Sequence, residues 1–288
     1  MIRVPWIDGL REIARDFDAF IVDQWGVLHD GERPLPGALD ALTRLRAADK
    51  RIVLLSNSGR RLFRARAALV RIGFDLSLFE GIVTSGELAW QALRAGALSG
   101  LGRRCLLVMR HGDRSVVDGL DLEIVSEPAR ADFLFISGVD SPEATLADYL
   151  PLLEECARRR LPALCSNPDR LAPTASGIAL APGGVARRYE ELGGRVTYFG
   201  KPDPRAFEAC LELLGNPPRE RVVVVGDSLE HDIRGAGNAA LRSVFVACGL
   251  HRPSFARATT PEARGRVLAR LCAEHGAIPD LVVPRFRW

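Results

Sequence analysis

From residue 20 onward, short and wholly apolar runs alternate with amphipathic stretches, and this alternation constrains the fold more than any other feature. Phe20-Ile21-Val22 is followed by a segment, 37–48, that places Leu39, Leu42 and Leu45 at helical spacing. Next come the run Ile52-Val53-Leu54-Leu55, a helical pattern over 61–72 and the run Gly81-Ile82-Val83. Runs without an interleaved polar residue suit strands covered on both faces. The order strand, helix, strand, helix therefore predicts an α/β chain with a doubly wound parallel sheet and helices on both sides. The middle repeats the theme. Strands are expected at 105–109, 122–125, 133–136 and 163–165, with a helix over about 142–160. Residues 171–182, rich in Ala, Gly and Pro, read as a β-hairpin or extended loop. A helix over 186–192 ends at Gly193-Gly194. Strands at 196–199, 222–225 and 243–246 alternate with helices near 204–214, 232–240 and 261–275.

With 288 residues, 47% of them hydrophobic, the chain can bury a sizeable core in one large domain or two medium ones. Its net charge of +3 is small, and the basic residues are interspersed with acids. Clusters such as Arg158-Arg159-Arg160 and Arg187-Arg188 read as solvated helix faces, so nucleic acid is not an expected partner. No run of about 18 uncharged apolar residues occurs, which predicts no membrane span. Met1 to Leu10 carries no apolar leader-like segment. The six cysteines contain no C-x-x-C pair and read as reduced thiols, which fits a cytoplasmic location.

Three apolar runs end in polar clusters: Asp23, then Ser56-Asn57, then Gly226-Asp227-Ser228. Each alone reads as a turn residue or helix cap. Together they matter, because open α/β sheets bind ligands at the carboxyl ends of their strands near a topological switch point. Two carboxylates converging there would repel without a cation between them, and Mg²⁺ suits carboxylate and carbonyl oxygens. Lys201 follows the strand ending at Phe199 and is placed to neutralise a phosphate in the same crevice.

Four motifs in this order resemble those of the haloacid dehalogenase (HAD) superfamily: Asp23-Gln24-Trp25-Gly26-Val27-Leu28, Leu55-Ser56-Asn57-Ser58, Gly200-Lys201-Pro202, and Val225-Gly226-Asp227-Ser228 with Asp232. The insert carrying Asn167-Pro168-Asp169 and Ala181-Pro182-Gly183-Gly184 looks like the α/β cap of subclass IIA, which includes NagD-like, pyridoxal and phosphoglycolate phosphatases. The resemblance implies a Rossmann-like core over 1–84 and 184–288 and a cap over 85–183. It implies that Asp23 attacks phosphorus and forms an aspartyl-phosphate. Ser56 and Asn57, through hydroxyl and backbone N–H, would hold phosphoryl oxygens, and Lys201 would offset charge on nucleophile and phosphate. Mg²⁺ would be bound by Asp23, Asp227 and the backbone carbonyl of Trp25, with Asp232 supporting that shell. Asn167 and Asp169 would meet the substrate at the rim of the cap, which covers the crevice and selects small phosphorylated metabolites. A homodimer is left open.

The sequence departs from that pattern at Trp25, where family phosphatases place a second Asp that protonates the leaving oxygen. An indole N–H does not titrate near neutral pH, and loss of a general acid costs on the order of 10²–10⁴ in rate. Expected, then, is weak hydrolysis or hydrolysis restricted to good leaving groups; the alternative is a catalytically silent protein that binds a phosphorylated ligand. His29 and Asp30 are candidate substitute acids or solvent-facing turn residues. Gly235-Ala236-Gly237 does not directly follow a strand and lacks the third glycine of a dinucleotide loop, where Ala240 stands.

Overall fold

A computed structural model of the chain describes residues 4–98, 100–174 and 177–288. The elements begin with strand β1 (Ala19–Val22), helix α1 (Ala38–Ala47), β2 (Arg51–Ser56), α2 (Leu62–Ile72) and β3 (Gly81–Thr84). There follow α3 (Ser85–Arg94), β4 (Arg104–Val108), β5 (Glu123–Val125), β6 (Phe133–Ile136), α4 (Leu146–Arg158) and β7 (Pro162–Cys165). The antiparallel pair β8 (Leu171–Thr174) and β9 (Gly177–Leu180) precedes α5 (Pro182–Glu191) and β10 (Arg195–Tyr198). The last stretch holds α6 (Pro204–Leu213), β11 (Val222–Gly226), α7 (Arg234–Asn238), β12 (Arg242–Val246), α8 (Arg252–Phe255), α9 (Pro261–His275) and β13 (Leu281–Val283). The expected hairpin is therefore present, with 175 and 176 outside the described residues, as are 1–3 of the expected core.

Two units divide the chain. The first takes residues up to 56, 65–83 and 201–288, and its sheet has the order β13-β12-β11-β1-β2-β3. Pairing is parallel from β13 through β12, β11 and β1 to β2. Every residue of β1 and β11 is buried, as unbroken apolar runs in a doubly covered parallel sheet require. The chain leaves β1 toward β2 and β3, then returns to build β11, β12 and β13 on the other side, so the order reverses beside β1. That is the switch point at which such sheets bind ligands. Helix α1 buries Ala38, Ala41, Leu42 and Leu45, one stripe at helical spacing. Helix α9 starts at Thr260, whose hydroxyl accepts from the Ala263 N–H, and ends at Gly276 in the left-handed region. Its Leu268, Leu271 and Cys272 pack with Phe245 and Val282 of β12 and β13.

The second unit takes 57–64 and 84–200, and its five strands run parallel in the order β10-β7-β6-β4-β5. Alternate strand residues point to opposite faces. Leu106, Val108, Leu134, Ile136, Ala163 and Cys165 pack with Tyr149 and Leu153 of α4 and Tyr189 of α5. Cys105, Phe133, Phe135 and Leu164 pack on the other face with Ala89 of α3. The boundary expected at 183/184 needs correction. Strand β10 pairs with β7, and α5 packs on this sheet, so residues 184–200 belong to the second unit rather than the first. Strand β10 lies just before Lys201 in the chain, and its sequence carries no signal of which sheet receives it.

All six cysteines are free thiols, and burial pushes Cys105 and Cys165 up to about 12, well away from reactive thiolates. No described helix is long and apolar enough to cross a membrane.

Candidate active site

Strands β1 and β11 end side by side. The Asp23 N–H donates to the Val225 carbonyl at 2.9 Å, which carries the pairing past the end of β1 and fixes the nucleophile candidate at the carboxyl end of the central strands. Asp227 follows β11 directly, and Asp232 sits on the π-helical turn over Leu229–Ile233. Turns of that type widen the backbone and often mark functional positions. Here the turn lets the Asp232 carboxylate reach back to accept the Ser228 N–H at 3.0 Å. Carboxylate oxygens of Asp23, Asp227 and Asp232 lie within 4.8 Å of one another. Lys201 enters this group from the turn before α6. Its Nζ donates to Asp23 Oδ1 at 2.5 Å, to Asp232 Oδ1 at 2.7 Å and to the Leu55 carbonyl at 3.3 Å.

Burial makes the electrostatics severe. Asp23 is 8% exposed, Asp227 4%, Asp232 1% and Lys201 3%, so water screens these charges little. Burial pushes Asp23 up to about 7, against the pull of Lys201 and with the repulsion of Asp232 added. Asp227 rises well above the ordinary carboxylate range through burial and the charges of Asp23 and Asp232. Burial opposes the charge on Lys201, but Asp23 and Asp232 outweigh it and hold the ammonium protonated above its usual range. Three carboxylates thus crowd together, and the one ammonium among them bonds to Asp23 and Asp232. This donor set fits a hard divalent cation, whose positive charge would offset the crowded carboxylates.

Two glycines and one main-chain N–H fix Asp227. The Leu250 N–H donates to its Oδ2 at 2.6 Å. Gly26, at φ 77°, would drive a Cβ to 2.1 Å from that oxygen, and Gly249 would drive one to 2.0 Å. The backbone just after Trp25 therefore runs against Asp227. These partners escape the sequence reading because a backbone group has no residue type to recognise. The Gly-Leu pair at 249–250 is the faint trace that the turn leaves in the sequence.

The remaining predicted residues divide. Ser56 ends β2 in the first unit. Asn57 belongs to the second unit, where it is 4% exposed and donates through Nδ2 to Asp169 Oδ1 at 2.9 Å. Asn167 Oδ1 accepts from the Asp169 N–H at 3.0 Å, so both cap candidates join one network with Asn57. Trp25 is half-buried, and its indole nitrogen lies near Gly31. Asp30 is a turn residue whose Oδ1 accepts the N–H groups of Glu32 and Arg33, and the Arg33 and Glu32 N–H groups hold its carboxyl below the ordinary range. His29 is buried, with Nδ1 accepting the Gly31 N–H at 3.1 Å and its ring edge-on to Phe74.

Comparison with known proteins agrees with this geometry. The family described as haloacid dehalogenase-like hydrolase matches residues 20–123, and one described as HAD-hydrolase-like matches 198–273. Chronophin of Homo sapiens is 29% identical over 272 residues, which is 87% of this chain and 88% of that protein. A haloacid dehalogenase-like hydrolase from Brucella suis 1330 is 27% identical with a TM-score of 0.83, covering 97% of this chain and 99% of that one. The glycerol phosphate phosphatase of Mycobacterium tuberculosis, solved in complex with magnesium, is 26% identical with a TM-score of 0.66, covering 86% of this chain and 74% of that one. The chain belongs to the haloacid dehalogenase-like hydrolases, in the subclass IIA to which its motifs point.

Proposed function

We propose that this chain is a Mg²⁺-dependent phosphatase of small phosphorylated metabolites that works through Asp23 and favours good leaving groups. One observation carries the reading: three buried carboxylates bring oxygens within 4.8 Å of one another, and two of them, Asp23 and Asp232, bond to the ammonium of Lys201. Such a cluster is expensive to bury without a function. The glycerol phosphate named for the Mycobacterium relative is of the proposed substrate class.

The chain's own groups divide the work. Asp23 attacks phosphorus in line, and the bond to the leaving oxygen breaks as an aspartyl-phosphate forms, which water then hydrolyses. Lys201 favours the ionised form of Asp23 and orients it, and it offsets phosphoryl charge. Ser56, through its hydroxyl, and Asn57, through its backbone N–H, hold phosphoryl oxygens. Asp227, Asp23 and the Trp25 carbonyl would hold Mg²⁺, with Asp232 behind them, and the bound ion supplies positive charge against the phosphoryl oxygens. Positioning and charge stabilisation are what phosphoryl transfer needs most.

Proton delivery is what this site does poorly. Trp25 cannot titrate near neutral pH. Asp30 is a weak base for the same reason it is a poor proton reservoir, because two main-chain N–H groups stabilise its ionised form. Activated aryl or acyl phosphates should therefore react readily and alkyl phosphates slowly. The test is a leaving-group series with Mg²⁺ on wild type, Asp23→Asn and Trp25→Asp. Rates should rise steeply as leaving-group pKa falls. Asp23→Asn should abolish turnover while retaining phosphate binding. Trp25→Asp should speed alkyl phosphate hydrolysis by about tenfold or more, given the usual worth of a general acid. If wild type and Asp23→Asn prove equally inert on every phosphate while both bind one, the chain is a silent binding protein.

A further inference from the structure

The cap-side Asn167-Pro168-Asp169 segment invites assignment as a substrate contact, but its bonds in the second unit point elsewhere. The Asp169 carboxylate accepts from Asn57 Nδ2 at 2.9 Å, and Asn57 is 4% exposed. The other end of that amide, Oδ1, faces the Ser85 hydroxyl at 3.5 Å. The backbone of Asp169 is itself held on both sides. Its N–H donates to Asn167 Oδ1 at 3.0 Å, and its carbonyl accepts from the Gly183 N–H at the start of α5, also at 3.0 Å. A Cβ on Gly183 would come within 2.1 Å of the Pro168 carbonyl oxygen, so α5 sits directly on this segment. Asp169 is thus held by its backbone while its carboxylate accepts from a buried amide. A carboxylate used this way would also repel an anionic substrate if it turned toward one.

The segment after Asn57 is tied down separately. The Ser58 carbonyl accepts the Gly86 N–H at 3.1 Å, the Arg60 carbonyl accepts the Thr84 hydroxyl at 2.7 Å, and Glu87 accepts the Leu62 N–H at 2.9 Å. All three partners lie at the start of α3. Residues 58–62 therefore hang from α3, while the entry to the segment, at Asn57, hangs from Asp169.

We propose that Asp169 is a positioning residue: by holding the Asn57 amide it sets the main chain of the segment that grips phosphoryl oxygens. The proposal rests on the phosphatase reading above for its kinetic consequence, but not for its structural one. A group acting on the phosphate grip affects every substrate alike, whereas a substrate contact discriminates among them.

The experiment uses the full chain with Mg²⁺ and compares wild type, Asp169→Ala, Asp169→Asn, Asn57→Ala and the double alanine variant. KM and kcat are measured for p-nitrophenyl phosphate and glycerol phosphate, with inhibition by inorganic phosphate. Amide hydrogen exchange is followed over 57–62. Asp169→Ala should raise both KM values and the inhibition constant of phosphate by a similar factor, about tenfold for one lost buried hydrogen bond. The double variant should be no worse than Asn57→Ala, because one acts through the other. Asp169→Asn, which still offers an acceptor oxygen, should recover most of the loss. Exchange at the entry to the segment, Asn57 and Ser58, should quicken in Asp169→Ala, while the Leu62 N–H, held by Glu87, should stay protected. A KM change for one substrate only, with phosphate inhibition unmoved, would overturn the proposal in favour of direct contact. Unchanged exchange overturns it whether or not the protein turns anything over. An inert wild type whose exchange still quickens in Asp169→Ala would sink the phosphatase reading and leave the positioning role standing.

Discussion

Lys201 donates to two carboxylates and a main-chain carbonyl while only 3% of it is exposed. Removing one member of such a buried ionic set leaves the others uncompensated, which costs about 3–5 kcal/mol. Lys201→Met keeps most of the side chain's volume and removes the charge. It should lower unfolding free energy by about that amount in urea denaturation with a chelator present, and Mg²⁺ should restore part of the loss by binding only the folded state. A loss under about 1 kcal/mol would mean that the acids simply take up protons, and that the Lys201 ammonium is not what balances their charge. Asp23, Lys201 and Asp227 are legible in the sequence because each stands just beyond a strand, where a polar residue interrupts an apolar pattern, and Asp232 is legible only through its spacing from Asp227 in the fourth motif. The Leu250 N–H, the Leu55 carbonyl and the two glycines against Asp227 are not, since what they contribute is backbone or empty space. The hydrogen bond from Asn57 to Asp169 is not legible either, because its two ends lie 112 positions apart.

Elements place these residues through their ends. The turn after β12 brings Gly249 and Leu250 onto Asp227 at the end of β11, so two neighbouring strands share the task of aiming one carboxylate. Gly249→Ala tests this. Its Cβ would meet Asp227 Oδ2 at 2.0 Å and Asp227 Cβ at 2.3 Å, and the second of these cannot be relieved by rotating the carboxylate. Displacement of about 1 Å in such a site costs on the order of 10²-fold in rate. We expect kcat/KM to fall by about that factor and Mg²⁺ to bind more weakly in calorimetric titration, with a stability loss of about 1–3 kcal/mol as the clash is absorbed. Equal activity and equal Mg²⁺ affinity would show that the turn does not hold Asp227. Elements are legible where apolar runs are long, as in β1, β2 and β11. Helix α3 lies outside the sequence reading, although its Leu88, Ala89, Ala92 and Leu93 follow helical spacing and pack on the second sheet. Strand β13, Leu281–Val283, lies outside the sequence reading as well.

Across the whole molecule, sequence order and motif placement predict two domains and a parallel sheet, but not which strands neighbour which. The reversal beside β1 and the transfer of β10 to the second sheet depend on pairings between strands far apart in the chain. Each unit nevertheless has its own apolar clusters, and that separation has a measurable consequence. Leu153 of α4 is fully buried in the second unit against strands β4, β6 and β7. Truncating it leaves a cavity that the packed sheet can only partly fill, at a cost of about 2–5 kcal/mol. The carboxylates that would take up Mg²⁺, and Lys201 among them, all come from the first unit, whose clusters include Leu268, Leu271 and Phe245 instead. Leu153→Ala should therefore lower the free energy of unfolding by about 2–5 kcal/mol in urea. At temperatures where the variant is folded, its Mg²⁺ affinity by titration should equal that of wild type. Sites with no shared partners should behave independently in this way. A fall in Mg²⁺ affinity in the folded variant would mean that the second unit's packing bears on the carboxylate cluster, and the cluster could no longer be treated as the property of one unit.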